Sequence, residues 1–354
     1  MTMQASADHR AARAGVPGPA VPASQPLARS DDAAGWVTVG SAPDWLRRAT
    51  ALALAVLSSV GVWVLWEVFV NSGRGQRVDE LARRGATYGQ GHLWQLAKPV
   101  LDVVSLSFVA LGIVVAIGVA LLRRRWWLAL QVAVLVGGAN LTTQVLKADV
   151  FSRPHLAEGW TGANTLPSGH TTVAASVSVA LLLVVPRAAR PVVALLGAAS
   201  TAATGVSTLV GQWHRPSDVV AGLLVVSAWT GVVCAFTSRS SLDVPALDRE
   251  GRPRRSPGSY VAAIVLVGAA GLSGAVAVSA LHDVDAAVRA MAGALWSVRR
   301  STEVTAYIGG AFGVLAATSL VFALILAVRQ LTATTSRPVP AAAAVPHPVR
   351  HAAA

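Results

Sequence analysis

Charge in this chain is largely kept to the gaps between eight apolar blocks. The blocks lie near residues 49–70, 100–122, 127–146, 170–186, 191–211, 217–236, 260–281 and 305–328, and each holds at most one Asp, Glu, Lys or Arg. A helix crosses about 30 Å of hydrocarbon with about 20 apolar residues, so each block is predicted as one spanning helix. The first apolar run is long and starts late, unlike a signal peptide. The expected architecture is an all-α, multi-pass transmembrane helix bundle. Residues 1–45 form a disordered tail, 46–236 a six-helix core, 237–258 a cytoplasmic linker, 259–328 two additional spans, and 329–354 a second disordered tail. Both tails are Ala- and Pro-rich and lack the apolar content for a core.

Composition agrees. Hydrophobic residues make up 54% of the chain and charged ones 13%, with a mean hydropathy of +0.56, which excludes an ordinary soluble domain. The single cysteine, Cys234, lies in an apolar block and rules out a disulfide framework or a cysteine metal site. The net charge of +12 would suit nucleic acid. The basic residues, however, flank apolar blocks in short segments, as membrane topology requires, so no nucleic-acid partner is expected. With the N-terminus inside, 18 of the 29 basic residues fall on inner segments and 11 on outer ones. Both termini are then cytoplasmic and the protein sits in the plasma membrane. Segments 147–169 and 212–216 emerge together on the outer face, and they stay together if the orientation is reversed.

Three clusters on that shared face carry chemistry. Lys147 and Arg153-Pro154 close one block. Arginine offers phosphate a bidentate fork and lysine a point charge, although interfacial snorkelling explains the same pair. Pro167-Ser168-Gly169-His170 opens the next block, where helix N–H groups and the dipole favour an anion. A plain helix start has the same composition. His214-Arg215-Pro216-Ser217-Asp218 opens a later block. Asp218 can hold one ring nitrogen of His214 and leave the other as nucleophile, or the group can be a simple cap. Asn140, Thr143, Gln144 and Lys147 share one helical face leading to this region.

In this order the clusters resemble the motifs of the type 2 phosphatidic acid phosphatases, the lipid phosphate phosphatase and vanadium haloperoxidase superfamily: Lys-x6-Arg-Pro, Pro-Ser-Gly-His and Ser-Arg-x5-His-x3-Asp. The resemblance covers roughly residues 100–236 and the preceding span. The middle motif matches in full, and His214-x3-Asp218 matches the end of the third. Two departures stand out. Five residues rather than six separate Lys147 from Arg153, and the third-motif arginine falls on Thr208, after Ser207. Arg215 is the candidate to supply the missing charge.

The resemblance implies a membrane phosphatase acting on a lipid phosphate monoester or diphosphate: phosphatidic acid, phosphatidylglycerol phosphate or polyprenyl diphosphate. Lys147, Arg153, the Ser168 hydroxyl and the Gly169 N–H, with Arg215, would hold the phosphate. His214, oriented by Asp218, would attack phosphorus and form a phosphohistidine. His170 would protonate the leaving alkoxide. Fixed cations stand where a metal would otherwise serve, so neither metal nor cofactor is expected. Two other functions fit the same motifs: a lipid phosphotransferase in which an alcohol resolves the intermediate, and a catalytically degenerate binding or transport protein.

Overall fold

The computed structural model describes residues 36–38, 44–103, 106–122, 124–156, 163–237, 257–290, 298–333 and 338–340. Most of both predicted tails and of the predicted linker lies outside these residues. Within the helical unit, Gly40–Ser336, ten helices are described: α1 (Asp44–Leu65), α2 (Gly73–Gly85), α3 (Thr87–Val103), α4 (Leu106–Leu122), α5 (Trp126–Val145), α6 (Gly169–Val184), α7 (Arg190–Val210), α8 (Pro216–Ala235), α9 (Pro257–Ala290) and α10 (Arg300–Ala333). A wide π turn extends α1 over Trp66–Val70 and another extends α5 over Leu146–Val150. In the unit of terminal residues, Trp36–Thr38 pairs antiparallel with Pro338–Pro340.

The bundle is all-α, as the apolar blocks predict. Among the described residues, six helical segments are long and apolar enough to cross a membrane: Asp44–Val70, Trp126–Val150, Arg190–Val210, Pro216–Ala235, Pro257–Ala290 and Arg300–Ala333. Gly169–Val184 and Gly112–Leu122 are shorter apolar helices. The block at 100–122 is divided between α3 and α4. Segment 71–98, the gap between the first two apolar blocks, folds as α2 and most of α3.

α8 occupies the centre. α1 lies along it, and α5, α6 and α10 pack around it. Gly231 permits the close α1 approach, since a Cβ there would lie 2.5 Å from the Ala51 carbonyl oxygen. Leu135, Leu182, Leu223 and Phe322 are fully buried in one apolar cluster joining α5, α6, α8 and α10. α9 and α10, each about 50 Å long at 1.5 Å per residue, pack against each other, and α10 also reaches α2, α7 and α8. This arrangement fixes the starts of α6 and α8 side by side.

Candidate active site

The first turns of α6 and α8 are joined directly. Ser168 caps α6, its Oγ accepting from the Thr171 N–H at 3.4 Å, as serine at a helix start does. Its own N–H donates to the Asp218 carbonyl at 2.8 Å. Thr172 Oγ1 donates to the Ser168 carbonyl at 2.8 Å and meets Thr143 Oγ1 of α5 at 3.0 Å. A Cβ on Gly222 of α8 would lie 2.8 Å from that same Ser168 oxygen, so glycine is what lets the two helices approach.

The junction brings the predicted imidazoles together. The His170 and His214 rings lie 6.0 Å apart between centroids, at 67°. His214 is buried and His170 exposed. His214 Nδ1 faces Asp218 Oδ2 at 3.3 Å, and the same oxygen accepts the Arg215 N–H at 2.9 Å. Asp218 thus fixes both the ring and the backbone at the start of α8, leaving His214 Nε2 clear of this pair. Trp213 lies beside His170, 5.4 Å between centroids, and Trp94 packs edge-on against Trp213 at 6.0 Å.

Lys147 and Arg153 line one open basin with Phe151, Ser152, His155 and Asn164. Lys147 sits in the π turn that ends α5, within the negative field of Asp218, and it acts electrostatically on His170. Arg153 is buried. Burial and the neighbouring Arg215 draw its pKa below the usual arginine value, against the pull of Asp79, Asp218 and Glu80. The 151–153 segment is braced from α1: Trp66 stacks on Phe151 at 5.2 Å, and Trp66 Nε1 donates to the Ser152 carbonyl at 3.0 Å.

The predicted site residues therefore gather around one junction, but two of those assigned to the phosphate, Ser168 and Arg215, are already engaged by protein groups. Ser168 is fully buried, with its oxygen in the cap. Thr208, at the third-motif arginine position, is buried and donates to the Gly205 carbonyl at 2.7 Å. Arg215 turns its fork to protein groups: Nη2 and Nε donate to Glu80 Oε2 at 2.9 and 3.3 Å, and Nη1 donates to Thr165 Oγ1 at 3.1 Å.

Two carboxylates next to the site belong to no motif in the sequence. Asp79 is buried beside Ser217. Burial, and then the negative Asp218, push its pKa up to about 7. Glu80 is buried too, which alone would raise its pKa, but Arg83, Arg215 and Arg84 hold it below the usual value. Their only advance signal was helical spacing in 76–84, which marks a helix without saying what covers it.

Residues 129–241 match the family model of the PAP2 superfamily, a phosphatase-type superfamily. The match spans the Lys147, Ser168–His170 and His214–Asp218 clusters. No curated protein and no solved structure matches the chain.

Proposed function

We propose, from a chain whose 129–241 segment is of the PAP2 superfamily, that it is a membrane phosphatase acting on a lipid phosphate monoester or diphosphate. The observation that carries this reading is the pairing of two imidazoles, 6.0 Å apart, one of them backed by Asp218, beside a basin holding Lys147 and Arg153.

Phosphoryl transfer asks mainly for charge stabilisation and in-line positioning. Lys147 and Arg153 meet the phosphate oxygens, helped by the Gly169 N–H at the positive end of α6. Ser168 serves chiefly as the cap that holds that end in place. Arg215 adds its charge to the field while its fork stays on Glu80. Asp218 keeps the His214 Nδ1 proton inward, so Nε2 carries the lone pair that attacks phosphorus. A phosphohistidine forms and the P–O bond to the leaving alkoxide breaks. His170 gives that alkoxide a proton. Water then attacks the phosphohistidine, with His170 now taking the proton, and releases inorganic phosphate. Histidine titrates near neutral pH, so one imidazole can be nucleophile while the other is acid.

The spanning helices suit a substrate whose tail stays in lipid while its headgroup reaches the basin, on the outer face of the plasma membrane. The test incubates purified protein in detergent with phosphatidic acid, phosphatidylglycerol phosphate and a polyprenyl diphosphate, and measures released phosphate with and without chelator. The reading expects chelator-insensitive release that is lost in His214→Ala. Release that survives this substitution, or that vanishes with chelator and returns with a divalent cation, counts against it.

A further inference from the structure

α2 lies outside residues 129–241, yet one of its faces is committed to the site. Gln76, Asp79, Glu80 and Arg83 stand at i, i+3, i+4 and i+7, a single stripe along the helix. Gln76 Nε2 donates to the Val70 and Pro154 carbonyls at 2.7 and 2.6 Å, fixing the residue that follows Arg153. Asp79 accepts from the Ser217 N–H at 3.3 Å and from Ser217 Oγ at 2.5 Å. Glu80 accepts from the Arg215 guanidinium and from Arg83. Arg83 Nη1 also reaches Gln212 Oε1 at 3.5 Å. The two carboxylates therefore grip residues 215 and 217, either side of Pro216, between His214 and Asp218.

This stripe does not face water. Gln76, Asp79 and Glu80 are 1, 2 and 3% exposed, and buried polar groups are kept only where partners satisfy them. The rest of the helix is backed by rigid structure. A Cβ on Gly75 would meet the Val68 carbonyl oxygen at 1.8 Å, and one on Gly85 would meet that of Glu303 in α10 at 2.0 Å. Pro216 is seated on α10 as well, since a Cβ on Gly310 would lie 2.5 Å from Pro216 Cγ.

We propose that α2 is a clamp for the catalytic segments, with Asp79 and Glu80 as positioning residues that set the attack register of His214. The inference rests on the phosphatase reading and extends it to elements beyond the matched segment. α10 acts as the anvil against which α2 and Pro216 are held.

Glu80 has two effects that a substitution separates. It holds Arg215, and it neutralises a cation near the phosphate basin. Glu80→Gln keeps the shape but removes the charge. The basin becomes more positive, so KM for an anionic ester falls several-fold. The hold on Arg215 weakens, so kcat falls about tenfold, within the range that sub-ångström misplacement produces. A residue that only stabilised the fold would reduce the amount of folded enzyme and leave both constants, per folded molecule, unchanged. Asp79→Asn keeps both bonds to Ser217, with the amide oxygen accepting from N–H and the amide nitrogen donating to Oγ. It is expected to keep kcat within about threefold, whereas Asp79→Ala loses about tenfold or more.

The experiment measures kcat and KM for phosphatidic acid on the four variants Glu80→Gln, Asp79→Asn, Asp79→Ala and His214→Ala, normalised to monodisperse protein from detergent size exclusion. A joint fall of KM and kcat in Glu80→Gln, with Asn restoring what Ala loses at position 79, supports the clamp. If Asp79→Ala does not fold, the two isosteric variants decide. Unchanged or raised KM in Glu80→Gln, or wild-type kcat in Asp79→Ala, overturns the clamp while His214→Ala still abolishes turnover. Turnover that survives His214→Ala overturns the phosphatase reading and the clamp with it.

Discussion

Gly222→Ala tests whether the α6–α8 junction sets catalytic geometry. The added methyl would stand 2.8 Å from the Ser168 carbonyl oxygen and 3.1 Å from Thr172 Oγ1. Ordinary contact begins near 3.4 Å, so the helices must part by about 0.6 Å. Overpacking of this kind costs about 1–3 kcal/mol. The same movement stretches the 2.8 Å bond from the Ser168 N–H to the Asp218 carbonyl toward the limit of a hydrogen bond, and it carries His170 away from His214. A misplacement of about 1 Å costs up to about 10²-fold in rate, so about 0.6 Å predicts a 10- to 20-fold lower kcat on the same scaling. The assay is phosphate release from phosphatidic acid in detergent, per folded molecule, with a thermal melt alongside. Gly271→Ala, where a Cβ meets nothing within 4 Å, is the control and should match wild type. Activity within twofold of wild type in Gly222→Ala, with an unchanged melt, would refute the claim that this contact positions the histidines.

Three further outcomes are expected. Asp218→Asn leaves His214 without its charged orienting group and lowers kcat by about 10²- to 10⁴-fold, read by the same assay. Arg215→Ala strips Glu80 of a buried partner, and breaking such a pair costs about 3–5 kcal/mol. The lower end applies because Arg83 and Arg84 remain on Glu80, and thermal melts read the loss. Asp79 gives a pH signature. Its pKa is near 7 when folded, against 3.8 ordinarily, so between these values the native state holds a proton that the unfolded chain has released, and stability falls as pH rises through that window. Asp79→Asn removes this contribution, so its melting temperature should gain on wild type between pH 5 and pH 8. A constant difference across that range would contradict the assignment.

The spans were legible because lipid imposes a simple length and polarity rule on each helix. The apolar blocks mark α5 to α8 within two residues, place ends of α1, α4 and α10 five or six residues off and stop nine residues before the end of α9, and the motif order points to Lys147, His170 and His214 as one group. Local chemistry was legible too: Pro216 and Asp218 at a helix start imply the cap that the Arg215 N–H makes with Asp218. What escaped depends on which surface covers which. α2 reads as a polar segment because Gln76, Asp79 and Glu80 are polar, and only the packing of α10 and α8 around it shows them to be buried. By its position beside His214, Arg215 is the candidate replacement for the arginine absent at Thr208. Nothing in its spacing reveals that Glu80, 135 residues away, takes its fork.

In the proposed mechanism His214 becomes covalently phosphorylated while paired with His170 at the α6–α8 junction. Rapid quench of the purified enzyme with a radiolabelled lipid phosphate, followed by alkaline peptide mapping, reads out this intermediate. An acid-labile, base-stable phosphate is expected on the peptide carrying His214, absent in His214→Ala and no longer turning over normally in His170→Ala. Label on a different residue, or label undiminished in His214→Ala, would contradict it.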